Sequence, residues 1–458
     1  MSAQPRKGLF GWLDRRYDLA PILAFMQHKE VPLGAHPMFW YYLGGLTLFF
    51  FSVQIATGIL LLVYYQVGDQ TSYESIHFIT TKVPFGWLVR SIHCWSAHLM
   101  ILCLVLHMLS TMMLKAYRQP RELTWLTGFS LFGLALCFGF SGYLLPWNEL
   151  AFFATAVGTD MVKAVPWIGH TLLEVLRGGP DVSGNTLYRF FALHVVVLPL
   201  IVGAVIAIHL IFIQKQGMAP PIGHTVTRGM KFFPDFALRD GLLWLICLIL
   251  LATLAVFLPY GPGIPGIEWE LGKKANPLAP AYPGIKPEWY FLWVYQLLKE
   301  FPPHILGMEG SQAALLVATV LFGVWALLPF LDRRAAREEP SPIFTDLGAA
   351  ALLFVAFLTM KAWDIGGGGG PQPDAHAVAR TCAIFVLVAG LAATALRRIV
   401  WKHTWFLFTA AELLHVALHG LVGMSYLAAG AIGFVAAAVG VVLTGARAQR
   451  TAAAGDRS

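Results

Sequence analysis

The sequence predicts an all-α fold, a polytopic membrane helix bundle of about ten spans. Three observations carry this prediction. The 458 residues are 57% hydrophobic and only 12% charged, against about 25% charged in soluble domains. Long apolar runs without a charge recur along the chain, each offering most of the roughly 20 residues a helix needs to cross a bilayer. The basic residues fall between those runs on alternate loops, as the orientation rule for membrane proteins requires. The net charge of +7 is therefore a topology signal and not a sign of nucleic-acid binding.

The N-terminus, MSAQPRKGLFGWLDRRYD, is polar and has no apolar core beside a small-residue cleavage site, so no cleaved signal peptide is expected. Spans are predicted at roughly 38–65, 84–114, 124–146, 187–213, 240–258, 312–331, 344–362, 378–396, 404–422 and 426–446. The last two are so closely connected that one tilted helix plus one interfacial helix is an alternative. Arg6, Lys7, Arg15 and Arg16 precede the first span. Lys115, Arg118 and Arg121 follow the second, and Lys215, Arg228, Lys231 and Arg239 follow the fourth. Arg333, Arg334 and Arg337, then Arg397, Arg398 and Lys402, then Arg447 and Arg450 continue the series. With ten spans all of these lie on the cytoplasmic side, together with both termini. The opposite loops, 147–186 and 259–311, are long and rich in Pro, Trp and Gly, the kind of loop that carries function or docks a partner. Residues 1–230 read as a four-span unit and 231–365 as a three-span unit. IGGGGGPQPD at 365–374 is a flexible break, and 366–458 holds that linker and extra membrane helices.

Within the four-span unit, histidines define a core. His93 and His107 lie 14 residues apart on the second span, and His194 and His209 lie 15 apart on the fourth. At 1.5 Å per residue, each pair is about 21 Å apart along its helix. Fourteen steps of about 100° return to within roughly 40° of the starting direction, and fifteen to within about 60°. Both histidines of a helix therefore face one neighbour, and two such helices make two stacked His–His pairs. Bis-imidazole ligation of two haem irons fits this layout: His93 with His194, and His107 with His209. Intramembrane histidines are costly and functional by default. His98 sits nine residues from His107, on the opposite face, and is excluded as a ligand of the same pair.

Glycines agree. Gly44 and Gly58 are 14 apart on the first span, and Gly128 and Gly142 are 14 apart on the third. A flat macrocycle between helices needs missing side chains at the depth of each iron; generic small-residue helix packing is the competing explanation. Arg90, one turn before His93, suits a haem propionate or serves as an interfacial anchor. In the loop GIKPEWYFLWVYQLLKEFP, Glu288 stands between Pro287 and the aromatic pair Trp289 and Tyr290. Burial there disfavours its charged form, and such a carboxyl group can accept a proton from a quinol; an aromatic-belt anchor is the alternative. Glu412, His415 and His419 share one helical face in the tail, as a metal, quinone or subunit-contact site or as a structural cluster. The five cysteines, Cys94, Cys103, Cys137, Cys247 and Cys382, sit in or beside apolar segments, and none forms C-x-x-C-H.

These residues resemble the cytochrome b family, the quinol-oxidising subunit of cytochrome bc and chloroplast-type complexes. The resemblance covers roughly residues 35–365, through GGLTLFFFSVQIATGILLLVYY, FGWLVRSIHCWSAH, QPRELTWLTG, FGFSGYLLPWN and the Pro-Glu-Trp-Tyr loop. The 15-residue step between His194 and His209 resembles the chloroplast-type branch, in which the four-span and three-span parts are commonly separate subunits; here they are continuous. The resemblance implies two b-type haems, with His93 and His194 ligating the outer one and His107 and His209 the inner one. It further implies Glu288 and Tyr290 as catalytic residues in an outer quinol pocket shaped with Pro287 and Trp289, and Arg90 at an outer-haem propionate. The cysteine that holds a third, covalent c-type haem in that branch is matched by Tyr42, and an associated arginine by Gln214, which speaks against a third haem. The tail past 366 has no counterpart in the short chloroplast form.

The implied activity is that of a quinol:cytochrome c-type oxidoreductase subunit in a respiratory or photosynthetic chain, with bifurcated quinol oxidation, transmembrane electron transfer and proton translocation. Expected partners are a Rieske-type iron–sulfur protein, a c-type cytochrome subunit, membrane lipid and a second copy of the complex, in a bacterial-type inner (plasma) membrane. Two other classes compete: a di-haem membrane anchor of a dehydrogenase, and a haem-free proton-coupled transporter.

Overall fold

A computed structural model describes residues 8–19, 21, 30–33, 38–165, 167–222, 228–258, 271–281, 285–305 and 307–364. Five of its helices are long and apolar enough to cross a membrane: Phe39–Leu62, Gly86–Met113, Glu122–Tyr143, Gly184–Gln216 and Phe232–Phe257. They match the first five predicted spans. Large apolar side chains such as Leu60, Leu200, Ile211 and Leu238 remain exposed on them, which suits a hydrocarbon surround. The predicted sixth span is a 17-residue helix, Gly310–Ala326, followed by the short turn Leu328–Leu331. The predicted seventh is the 23-residue helix Pro342–Asp364. The predicted spans at 378–396, 404–422 and 426–446 lie outside the described residues, as do Cys382, Glu412, His415 and His419.

The fourth span is longer than the apolar run alone suggests, because polar residues extend it. Ser183 and Thr186 form a reciprocal capping box at its start, satisfying backbone N–H groups that a helix start leaves open. Gly217, at φ 71°, ends it, its N–H returning to the Ile213 carbonyl at 2.8 Å, a positive φ that glycine adopts without strain. Near its middle, Leu193–Val197 form a π turn, with the Leu198 N–H bonded to the Leu193 carbonyl. Pro199 follows directly and has no N–H to give the carbonyl of residue 195, so an inserted residue at this point costs little hydrogen bonding. The extra residue in the 15-residue His194–His209 step is taken up here. The two rings therefore share a face as closely as the 14-residue pair does.

One apolar core runs through both predicted units. It includes Phe50, Ile101, Met108, Trp125 and Phe132 from the first four spans, and Leu251, Ala255, Leu328 and Ala335 from the rest. Polar bonds tie the two units at both ends. At the end where the second span finishes, Tyr117 donates to Asp332 at 2.7 Å and Lys115 lies 3.7 Å from the same carboxylate. Trp125 donates its indole N–H to the Ala326 carbonyl at 3.0 Å. At the opposite end, Asn148 caps the helix Glu149–Asp160 and donates to the Leu271 carbonyl at 2.8 Å. The Ala275 N–H reaches the Trp147 carbonyl at 3.0 Å. A two-stranded ribbon, Glu30–Leu33 antiparallel to Arg228–Lys231, closes the side where the fourth span ends.

Candidate functional site

The first four spans pair as first with second and third with fourth, and each pair presents two histidines to two glycines. A methyl group on Gly58 would lie 3.5 Å from Cε1 of His93, and one on Gly44 would lie 3.2 Å from Cε1 of His107. On the other pair, a methyl on Gly142 would come to 2.6 Å from Cε1 of His194, and one on Gly128 to 3.1 Å from Cε1 of His209. Each predicted glycine thus stands against one predicted histidine. At each of these glycines the nearest side chain is the imidazole ring itself. Across the bundle, His93 is within electrostatic reach of His194, and His107 of His209. The histidines meet in twos: among the described residues no group of three or more His, Cys, Asp or Glu side chains gathers as a metal site.

Three hydroxyl groups orient these rings. Thr57 bonds Nδ1 of His93 at 2.8 Å, Ser141 bonds Nδ1 of His194 at 3.1 Å, and Thr127 bonds Nδ1 of His209 at 2.9 Å. Each sits immediately before one of the glycines, a signal present in the sequence as Thr-Gly, Ser-Gly and Thr-Gly. Gln54, on the first span, further ties the helix carrying His93, donating to that residue's carbonyl at 2.5 Å and to the Ser96 hydroxyl. With Nδ1 engaged, the ring edge left for a ligand is Nε2. Paired imidazoles backed by glycine at both levels, with three of the four rings held through Nδ1, are what ligation of a haem by two histidines would use, so the residues present fit that group.

Arg90 is buried at 7% exposure, one turn ahead of His93. Tyr42, at the position that matches the covalent-haem cysteine, stacks face to face on Phe236, with ring centroids 4.3 Å apart. Asp240, a carboxyl-bearing residue within the fifth span, is pressed against Gly45.

The Pro-Glu-Trp-Tyr segment is brought against the third span. Glu288 is buried and precedes a single 3-10 turn, Trp289–Phe291, which leads into the helix Leu292–Glu300. The Tyr290 hydroxyl occupies the space over Gly139, where any side chain would collide with it. Its ring meets those of Trp289 at 5.4 Å and Phe291 at 4.8 Å. Burial pushes the Tyr290 phenol well above its ordinary value, and the nearby Glu288 adds to the shift. The group is therefore a proton donor in hydrogen bonds at any working pH. His98, set aside as a haem ligand, has a definite partner: its Nδ1 accepts the indole N–H of Trp289 at 3.1 Å. The second span, which carries two of the four paired histidines, is thereby linked directly to the loop carrying Glu288.

Comparison with known proteins gives a consistent picture. The family described as Cytochrome b/b6/petB matches residues 28–217, and the family described as Cytochrome b(C-terminal)/b6/petD matches residues 274–387. The chain is 50% identical over 364 residues to a cytochrome bc complex cytochrome b subunit from Chlorobaculum thiosulfatiphilum, covering 78% of this chain and 81% of that one. It is 38% identical over 214 residues to cytochrome b6 of Acaryochloris marina, covering 47% of this chain and 99% of the relative. Among solved structures, a chain of a hyperthermophilic respiratory Complex III superposes with a TM-score of 0.67 at 26% identity, covering 85% of this chain and 98% of that one.

Proposed function

The chain belongs to the cytochrome b/b6 family, in a fused form, and from that premise we propose that it is the quinol-oxidising subunit of a bc-type membrane complex working by bifurcated electron transfer. One observation carries the reading: four histidines, two on the second span and two on the fourth, each stand against a glycine of the neighbouring span. That arrangement supports two b-type haems, His93 and His194 holding the outer one and His107 and His209 the inner one. When bound, the haems supply a one-electron relay between the two faces of the membrane.

A quinol beside the Pro287–Tyr290 segment loses two electrons and two protons. Glu288, buried beside Trp289 and Tyr290 in the chain, accepts one of the protons. Tyr290 keeps its hydroxyl proton and offers it as a hydrogen bond to a quinol oxygen. One electron leaves to a Rieske-type iron–sulfur protein and onward to a c-type cytochrome; the other crosses inward, and two such turnovers supply the two electrons that, with two protons, reduce one quinone near the cytoplasmic face. Protons are released outside and taken up inside, so turnover charges the membrane. Arg90 supplies a buried positive charge suited to an outer-haem propionate. The complex is expected to work as a dimer.

Two measurements test this. A reduced-minus-oxidised spectrum of the purified complex should resolve two b-type components, and a flat trace would refute the haem reading. Glu288→Gln should slow quinol oxidation at least tenfold while both components remain. Normal turnover in that variant would remove Glu288 from the proton path.

A further inference from the structure

The hydroxyl groups of Thr57, Ser141 and Thr127 do more than touch the histidines. Each has one proton to donate. Thr57 already donates it to the Val53 carbonyl at 2.7 Å, Ser141 to the Cys137 carbonyl at 2.8 Å, and Thr127 to the Leu123 carbonyl at 2.9 Å. Toward the imidazole, each oxygen can then only accept. The proton in the ring–hydroxyl bond must come from Nδ1, which leaves Nε2 with a bare lone pair. The helix backbone, by claiming each hydroxyl proton, sets the tautomer that a metal ligand needs.

The fourth histidine breaks the pattern. The residue before Gly44 is Leu43, fully buried and without a hydroxyl. Among the described residues, Nδ1 of His107 is a buried atom with no hydrogen-bond partner. Leu43 and Thr57 lie 14 residues apart on one helix, so they hold equivalent places relative to His107 and His93. One histidine pair is therefore hydroxyl-bonded on both sides, and the other on one side only.

We propose that Thr57, Ser141 and Thr127 are positioning residues that set the electron-donating strength of the axial imidazoles, and that Leu43 withholds this from His107 to keep the two haems unequal. The proposal rests on the di-haem reading above. An Nδ1–H that donates to an oxygen makes the ring a better electron donor through Nε2. A better donor stabilises the ferric state and lowers the reduction potential. With two such bonds against one, the outer haem is the weaker oxidant, and an electron delivered there runs downhill to the inner one. The asymmetry is thus written into the residues preceding four glycines.

Redox titration of the two b components in the purified complex, followed optically, tests this, with haem content per chain as a parallel readout. Thr57→Val removes the hydroxyl at nearly constant shape. It should raise the midpoint potential of the outer component and leave the inner one in place, with both haems retained, and Thr57→Ser should restore the original value. Leu43→Thr should act in the opposite sense on the other level, lowering the inner potential alone. Ser141→Ala serves as a second outer variant if Thr57→Val loses haem, and should likewise raise only the outer potential. Unmoved potentials in haem-loaded variants, or equal shifts of both components, would overturn the proposal. A wild-type complex without b haem would instead overturn the reading beneath it.

Discussion

Gly142→Ala and Gly58→Ala make a matched pair of perturbations at one haem level. A methyl on Gly142 arrives 2.6 Å from Cε1 of His194, with Nδ1 at 3.1 Å and Nε2 at 3.3 Å. Ordinary contact between carbon atoms needs about 3.5 Å, so the ring must retreat by roughly 1 Å. It cannot swing freely, because Ser141 holds Nδ1 at 3.1 Å and Phe138 packs on it edge to face at 5.3 Å. Overpacking of this kind costs about 1–3 kcal/mol, against a gain of about 1 kcal/mol for replacing glycine by alanine within a helix. A methyl on Gly58 meets His93 at 3.5 Å, which is already comfortable contact, so there the helix gain dominates. The two substitutions should therefore differ in sign at the level of the fold. They should also differ sharply in the ligand geometry of the outer haem. Spectra of solubilised membranes, normalised to the amount of chain, should show the outer b component lost or broadened in Gly142→Ala and intact in Gly58→Ala. Gly44→Ala and Gly128→Ala, at 3.2 and 3.1 Å, should fall between these and affect the inner component only. If all four variants behaved alike, or if Gly58→Ala were the most damaging, the glycines would be serving general helix packing and the ring-clearance argument would be wrong.

Other expectations follow from single contacts. His98→Phe removes the acceptor of the half-buried Trp289 indole N–H, a cost of about 1 kcal/mol. It should alter quinol oxidation kinetics while both b components keep full intensity; loss of a haem would return His98 to the list of ligands. Asp332→Ala removes the buried carboxylate facing Lys115 and Tyr117 and should destabilise the chain by about 3–5 kcal/mol, read as an early melting transition in detergent. Tyr117→Phe loses only a hydrogen bond and should cost nearer 1 kcal/mol.

The sequence carried the frame of the site because that frame is periodic. His93 and His107, like Gly44 and Gly58, declare a shared face through a spacing of 14 on a 3.6-residue helix, and charge-free runs declare the spans. What escaped was aperiodic or distant. The π turn at Leu193–Val197 was signalled only by one extra residue between His194 and His209 and by the nearby proline. Thr57, Ser141 and Thr127 looked like ordinary helix residues, although each standing directly before a glycine was a readable pattern. The bond from Trp289 to His98 joins positions 191 residues apart in the chain, and no local rule anticipates it. Asp332 was equally hidden, since a lone acidic residue at the end of an apolar run is usually solvated.

The seam between the two halves of the chain is fastened at both ends by side chains and docked backbone, at Tyr117, Lys115 and Asp332 and again at Trp147 and Ala275. Its holding power does not come from the peptide that connects the halves. Interlocking pieces of this sort should tolerate a cut, so that two polypeptides carrying the same seam would be expected to build the bundle that one builds here.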